Sequence, residues 1–198
     1  MIYDAEMQWI EAKQGAKDCL FLSTAFDLAN GETEKQVDFP QAFPKGTEVE
    51  VVGWIQSFRF GTEKGEDYVC DFWPKKVNNK GFVAHAECGG NTERLTVTWV
   101  VMKKGKQNVA TGNFSTSNEG DEEGSGFQEA SGSVNFEEGA FDKAPTVLVA
   151  LSQFDLEGGK DLRVGVEVED VSEEGFSWTL RECSFEVGLS RVPLLTFL

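Results

Sequence analysis

The sequence predicts an all-β protein built as two tandem six-stranded antiparallel β-sandwich domains. Three observations carry that expectation. Short runs alternate apolar and polar residues and are bounded by Gly-rich turns. No stretch shows the long 3.6-residue periodicity of an amphipathic helix. Five elements also occur twice in one order, which is the signature of a duplicated unit.

In the first occurrence, Val37-Asp-Phe-Pro-Gln-Ala-Phe43 leads into a strand over Thr47–Ile55, with Val49, Val51, Gly53 and Ile55 on one face, ending at Phe58. The turn Gly61–Gly65 follows, then a strand over Tyr68–Phe72, the corner Val77-Asn-Asn-Lys-Gly-Phe82, and a strand from Arg94 through Trp99. In the second, Val134-Asn-Phe136 and Phe141 precede a strand over Ala144–Leu151 ending Ser-Gln-Phe154. The Glu157–Lys160 turn leads to Asp161–Glu169, with Leu162, Val164, Val166 and Val168 inward. The corner Val171-Ser-Glu-Glu-Gly-Phe176 and a last strand complete the unit. Pro193 removes a ladder donor, so that last strand is expected at a sheet edge or starting at Leu194. The two domains are placed at 1–104 and 105–198, each closing its own interior, with a basic hinge at Lys103-Lys-Gly-Lys106. Ser115–Gly132 reads as a linker or surface loop, with core-capable residues resuming at Val134.

Composition narrows the partners. Apolar residues make up 40% of the 198, enough for packed cores, while 18 Lys and Arg against 34 Asp and Glu leave a formal charge of −16. So acidic a surface repels phosphate backbones and anionic headgroups, so neither nucleic acid nor membrane insertion is expected. No apolar run reaches the roughly 20 residues of a membrane helix. The start Met-Ile-Tyr-Asp-Ala-Glu lacks a basic, then apolar, secretory pattern. The expectation is a cytoplasmic or non-classically secreted protein, or a mature extracellular chain. Cys19, Cys70, Cys88 and Cys183 are too few and too scattered for a disulfide framework. Either one Cys19–Cys88 bridge forms or the cysteines are free and buried. One histidine and no C-x-x-C pair leave no Cys/His zinc set, and no cofactor is expected.

The second unit resembles the H-type lectin domain family of snail agglutinins and discoidin C-terminal domains. The resemblance rests on Gly112-Asn-Phe-Ser-Thr116, Val134-x-Phe136, Phe141, Pro145–Asp155, Leu162-Arg-Val164 and Val171-x-x-x-Gly-Phe176, and it covers nearly all of 108–198. The first unit fits more loosely over about 5–102, keeping Thr98-Trp99-Val100 near the closing strand. No single motif is specific; the ordered set is. The resemblance implies a six-stranded sandwich, frequent trimers, and recognition of galactose or N-acetylgalactosamine on glycans or glycoproteins without an obligatory metal. Arg163 fits the family's sugar-contacting arginine, and strand parity turns it away from the Leu162/Val164 face. A guanidinium suits neighbouring hydroxyls because its donors form a fixed fork. The bland alternative is an exposed arginine near Glu167.

The family also uses an acidic loop residue, for which Asp121, Glu122 and Glu123 are candidates, although a charged run is commonly only a solvated loop. Where the family presents an aromatic and a histidine, the second unit has Cys183-Ser184 and the first has Gly89-Gly90; Val69 stands at the first unit's arginine position. Ser184 is the remaining polar candidate. Sugars stack their C–H face on aromatic rings, and Trp54 and Trp73 oppose the inward parity of their strands. Each is either a sugar platform or a contact between domains or subunits, whereas Trp178 shares the core parity of Phe176 and Leu180. His85 points away from Phe82 and Ala84 and reads as a solvent-facing strand histidine. No nucleophile elbow, phosphate loop or dinucleotide fingerprint occurs, and no carboxylate pair stands out for glycoside hydrolysis, so the chain is not expected to be an enzyme. Two functions are weighed: a lectin gaining avidity from multivalent weak binding, and a structural or adhesion module that kept the fold and lost the sugar.

Overall fold

The computed structural model describes residues 19–61, 68–89, 92–114, 128–156, 164–182 and 192–197. The strands are β1 (Cys19–Asp27), β2 (Glu34–Asp38), β3 (Val49–Phe60), β4 (Tyr68–Asn78), β5 (Gly81–Cys88), β6 (Thr92–Lys103) and β7 (Val109–Phe114). They continue with β8 (Gln128–Asn135), β9 (Thr146–Val149), β10 (Phe154–Leu156), β11 (Val164–Glu169), β12 (Gly175–Glu182) and β13 (Val192–Phe197). The only helical element among the described residues is a 3-10 turn at Leu28–Asn30. The fold is all-β, and every described ladder is antiparallel.

The sheets come in matching pairs. The N-terminal group has the orders β1-β6-β3 and β4-β5-β2, and the C-terminal group has β7-β13-β9 and β11-β12-β8. Register agrees in detail. Val37 and Asp38 lie opposite Phe82 and Gly81, as Val134 and Asn135 lie opposite Phe176 and Gly175. Phe39 N–H donates to Lys80 O and Phe136 N–H to Glu174 O, each at 2.8 Å. The Phe39–Phe43 and Phe136–Phe141 rings both meet edge to face. Lys76 (φ 53°) and Asp170 (φ 52°), each just before the corner valine, share a left-handed backbone.

Alternation explains the interior. Leu95, Val97, Trp99 and Val101 of β6 are fully buried against Phe26, Phe72 and Phe82, and Val49, Val51 and Ile55 pack on the same cluster, as their parity requires. The buried Trp99 indole N–H donates to Thr24 Oγ1 at 3.2 Å, so it carries no unpaired donor inward. In the C-terminal group, Phe176, Trp178 and Leu180 of β12 are the buried counterparts, with Val147, Val149, Val166 and Val168 packed against them. The buried residues of the two groups fall in one connected cluster, which includes Phe154 of β10. There β10 leaves its own group and adds to the free edge of β4, Phe154 opposite Cys70, while Ile55 N–H donates to Leu151 O at 2.8 Å.

Four local expectations are corrected. Cys88 bonds to Cys70, not Cys19: the two cysteines face each other across the β4–β5 ladder with Cα atoms 4.1 Å apart, whereas Cys19 lies on the other sheet opposite Met102. Closing a loop with a sequence separation of 18 in this way contributes about 3 kcal/mol. Cys19 is a free thiol, and burial raises its pKa. Second, β13 is a central strand, not an edge. Pro193 is accommodated because it is paired only with Asn113, and the ladder to β9 begins at Leu194. Third, β8 already begins at Gln128, ahead of Val134; Gly132 within it leaves room for the Trp178 indole, whose Cζ2 lies 2.8 Å from where a Cβ would stand. His85, finally, is not solvent-facing in the sense expected, for reasons that belong to the site.

Candidate functional site

The outer face of the N-terminal β4-β5-β2 sheet carries a polar-aromatic row. Trp73 lies opposite His85 and His85 opposite Glu34, so three consecutive strands place one side chain each on a line. The Trp73 and His85 rings have centroids 4.4 Å apart. His85 Nδ1 lies 3.2 Å from Glu34 Oε1, and its side chain is only 15% exposed because the indole and the carboxylate cover it. Lys75, two residues along the face from Trp73, donates to Glu34 Oε1 at 3.0 Å and lies 5.3 Å from the indole centroid. Sequence parity found Trp73 and His85; Glu34 and Lys75 were missed, because their partnership depends on register across three strands.

The Lys75 hydrogen bond, then its charge, hold the Glu34 carboxyl below the ordinary glutamate range, with His85 adding to the effect. A depressed folded pKa gives stability that is present at neutral pH and lost as pH falls through that depressed value. Glu34→Gln is therefore expected to lower the melting temperature slightly at neutral pH. The gap to the wild type should close in acid, as checked by thermal melts across the acid range; a gap that widens in acid contradicts the assignment.

Trp54 lies on the other sheet. It packs with Phe21, Cys19 and Val109 over Val100 and Met102, on the outer face of β1-β6-β3, and Val109 belongs to β7.

On the equivalent outer face of the C-terminal β11-β12-β8 sheet the residues are Gly165, Glu167 and Glu169, then Ser177 and Thr179, then Ser131 and Ser133. Glu167 and Thr179 take the register positions that Trp73 and His85 hold in the N-terminal group. Arg163, Asp121, Glu122, Glu123 and Ser184 lie outside the described residues. Val69, at the N-terminal group's arginine position, stands opposite Asp155 in the β10–β4 ladder.

Residues 131–187 match the H-type lectin domain family. That stretch is similar to an H-type lectin domain. The matched stretch begins in β8 and runs through β9, β10, β11 and β12; of these, β8, β11 and β12 build the serine- and glutamate-bearing face. No curated protein and no solved structure matches the chain. The lectin similarity supports carbohydrate binding as the general role. Among the described residues no helix is long and apolar enough to cross a membrane.

A cleft of about 620 Å³ lies between Glu50–Gly53 of β3 and Asp71–Pro74 of β4 on one side and Thr111–Asn113 of β7 and Ser152 on the other. Trp73 forms part of its wall and Trp99 part of its lining. Gly53 lets the strand lie against the Trp99 ring: a Cβ there would stand 2.6 Å from Trp99 Cε3.

Proposed function

We propose that the chain is a lectin of two tandem H-type lectin-like units, divided near 104/105, that binds galactose- or N-acetylgalactosamine-type glycans through its C-terminal unit. The match over 131–187 carries this reading, and the repeated strand order supports the duplication. Sequence parity groups Arg163 with Gly165, Glu167 and Glu169 and not with Val164 and Val166. Asp121 or Glu123 supplies the acceptor for paired hydroxyls, and Ser184 adds a further polar contact. The glycan is held by few contacts, so useful avidity comes from several copies in a homo-oligomer, with a trimer the favoured state. The reading assigns no catalysis.

A second reading is favoured by one observation. The N-terminal unit's arginine position is Val69, and β10 covers that edge of β4. That unit is therefore read as having given up the family site and serving a structural or adhesive role. A glycan array with wild type and Arg163→Ala tests both readings. Saturable binding to galactose-type glycans, lowered at least tenfold by the substitution as a lost charge-assisted hydrogen bond implies, supports the lectin. Silence across the array from a folded protein leaves the structural reading.

A further inference from the structure

We propose that Asn113 is an N-glycosylation site, carrying an oligosaccharide on its side-chain amide nitrogen at the exposed end of β7. The inference goes beyond the lectin reading and uses none of its residues. Asn113-Phe-Ser115 is the chain's one Asn-x-Ser/Thr sequence, and its middle residue is not proline. The amide and the hydroxyl two residues on are what the transferring enzyme reads. It reads them on the chain as it is made, so the requirement lies in the sequence and not in the fold around Ser115. So short a motif also recurs by chance. Two structural observations single this one out.

The first is exposure. Val109, Thr111 and Asn113 share one face of β7 by strand parity. Val109 packs against Val100 and Met102, Thr111 Oγ1 donates to Glu50 Oε1, and Asn113 is exposed. Burial therefore falls along this row, and Asn113 is where the face reaches solvent. It stands opposite Pro193, next to the end of the β7–β13 ladder, and β7 is the outermost strand of that sheet.

The second is the Cys70–Cys88 disulfide. Such bonds persist in oxidising compartments, whereas cytosolic thiols are kept reduced. N-glycans are attached in the same secretory setting. The cysteines lie on β4 and β5 and the asparagine on β7, so unrelated segments call for one compartment.

The modification is a group transfer. Asn113 Nδ2 bonds to the anomeric carbon of a polyprenyl-diphosphate-linked oligosaccharide, and the bond from that carbon to the diphosphate oxygen breaks. The lipid diphosphate leaves and the amide loses one proton; nothing is oxidised or reduced. The added chain is bulky and hydrated, and it sits at the margin of a sheet, where an uncovered strand invites pairing with other chains.

The test expresses the full chain in a eukaryotic secretory host behind a cleavable leader. Intact mass is recorded on secreted and cell-associated protein, before and after a peptide N-glycosidase. The expected result is an added glycan mass that the enzyme removes, leaving a carboxylate at position 113. Asn113→Gln and Ser115→Ala should each lose that mass, and Ser115→Thr should keep it. Cys70 and Cys88 should resist alkylation in the same sample until a reductant is added. An unmodified Asn113 in the wild type overturns the inference, as does a glycan mass that persists in Asn113→Gln. Free thiols at Cys70 and Cys88 in the secreted chain also overturn it, because the argument for the compartment is then lost.

Discussion

Phe154→Ala is expected to cost about 3–5 kcal/mol, among the largest effects of any single side-chain truncation in the protein. The ring is fully buried, with its centroid 5.4 Å from Phe58 and 5.9 Å from Phe60, and its backbone pairs with Cys70. Phe58 is the residue its sequence context matches, yet Phe58 is 41% exposed. The difference follows from what each strand does next. β3 runs on unbroken to Phe60, leaving Phe58 near its own group's margin, while the chain after β9 turns away and carries Phe154 into the N-terminal group. Removing the ring leaves a cavity between β10 and the Phe58 and Phe60 rings of β3, where strands held by their ladders collapse poorly. Phe58→Ala should cost far less, about 1 kcal/mol, because water already reaches that ring. Urea unfolding should show the Phe154→Ala midpoint well below that of Phe58→Ala, with similar slopes for a similar change in exposed surface. Equal midpoints would mean that β10 contributes little to holding the two groups together.

The fold was legible because alternation and repetition are local signals. Inward parity of Val49, Val51 and Ile55, of Val166 and Val168, and of Trp178 could be counted along the chain, and each lies where parity put it. The departures arise where the deciding contact is far away in sequence. Cys70 and Cys88 are joined because the β4–β5 register sets them face to face, and register across a bulged hairpin is not written in spacing. Pro193 sits in a central strand because one of its two neighbours begins a residue later, which is a property of β9. The excursion of β10 depends on an unpaired edge of β4 that only the assembled sheet presents.

The candidate site was legible in part. Trp73 and Trp54 could be picked out as opposing their strands' inward parity, but not sorted. One lines a cleft and the other packs over Val100 and Met102, and only the neighbouring strand decides which. Glu50 and Asp71 were invisible among 34 acids because nothing in their own segments marks them; the cleft is made by β7 arriving beside β3. Glu34 illustrates the same limit, since its ammonium and imidazole neighbours come from two other strands.

Gly81→Ala and Gly175→Ala are each expected to destabilise the protein by about 3 kcal/mol or more, for one shared reason. A Cβ on Gly81 would lie 2.3 Å from Val37 O and 3.1 Å from Asp38 Cα; on Gly175 it would lie 2.2 Å from Val134 O and 3.2 Å from Asn135 Cα. These obstacles are backbone atoms of the paired strand, fixed by its ladder, so no rotamer change relieves them. Relief requires β2 or β8 to move away from its partner, breaking the bonds that Phe39 and Phe136 make to Lys80 and Glu174 and lifting their rings from the core. The glycine of the repeated Gly-Phe corner is thus set by close approach, not by a special dihedral. Gly165→Ala, on the same sheet as Gly175, is the control. Its Cβ meets nothing within 4 Å, so the change should be neutral or stabilising by about 0.5–1 kcal/mol through the lost flexibility of the unfolded chain. Thermal melts of the three variants side by side decide the matter. If Gly165→Ala is as damaging as the other two, a general intolerance of alanine in these strands explains the result, and the close approach at the corners does not.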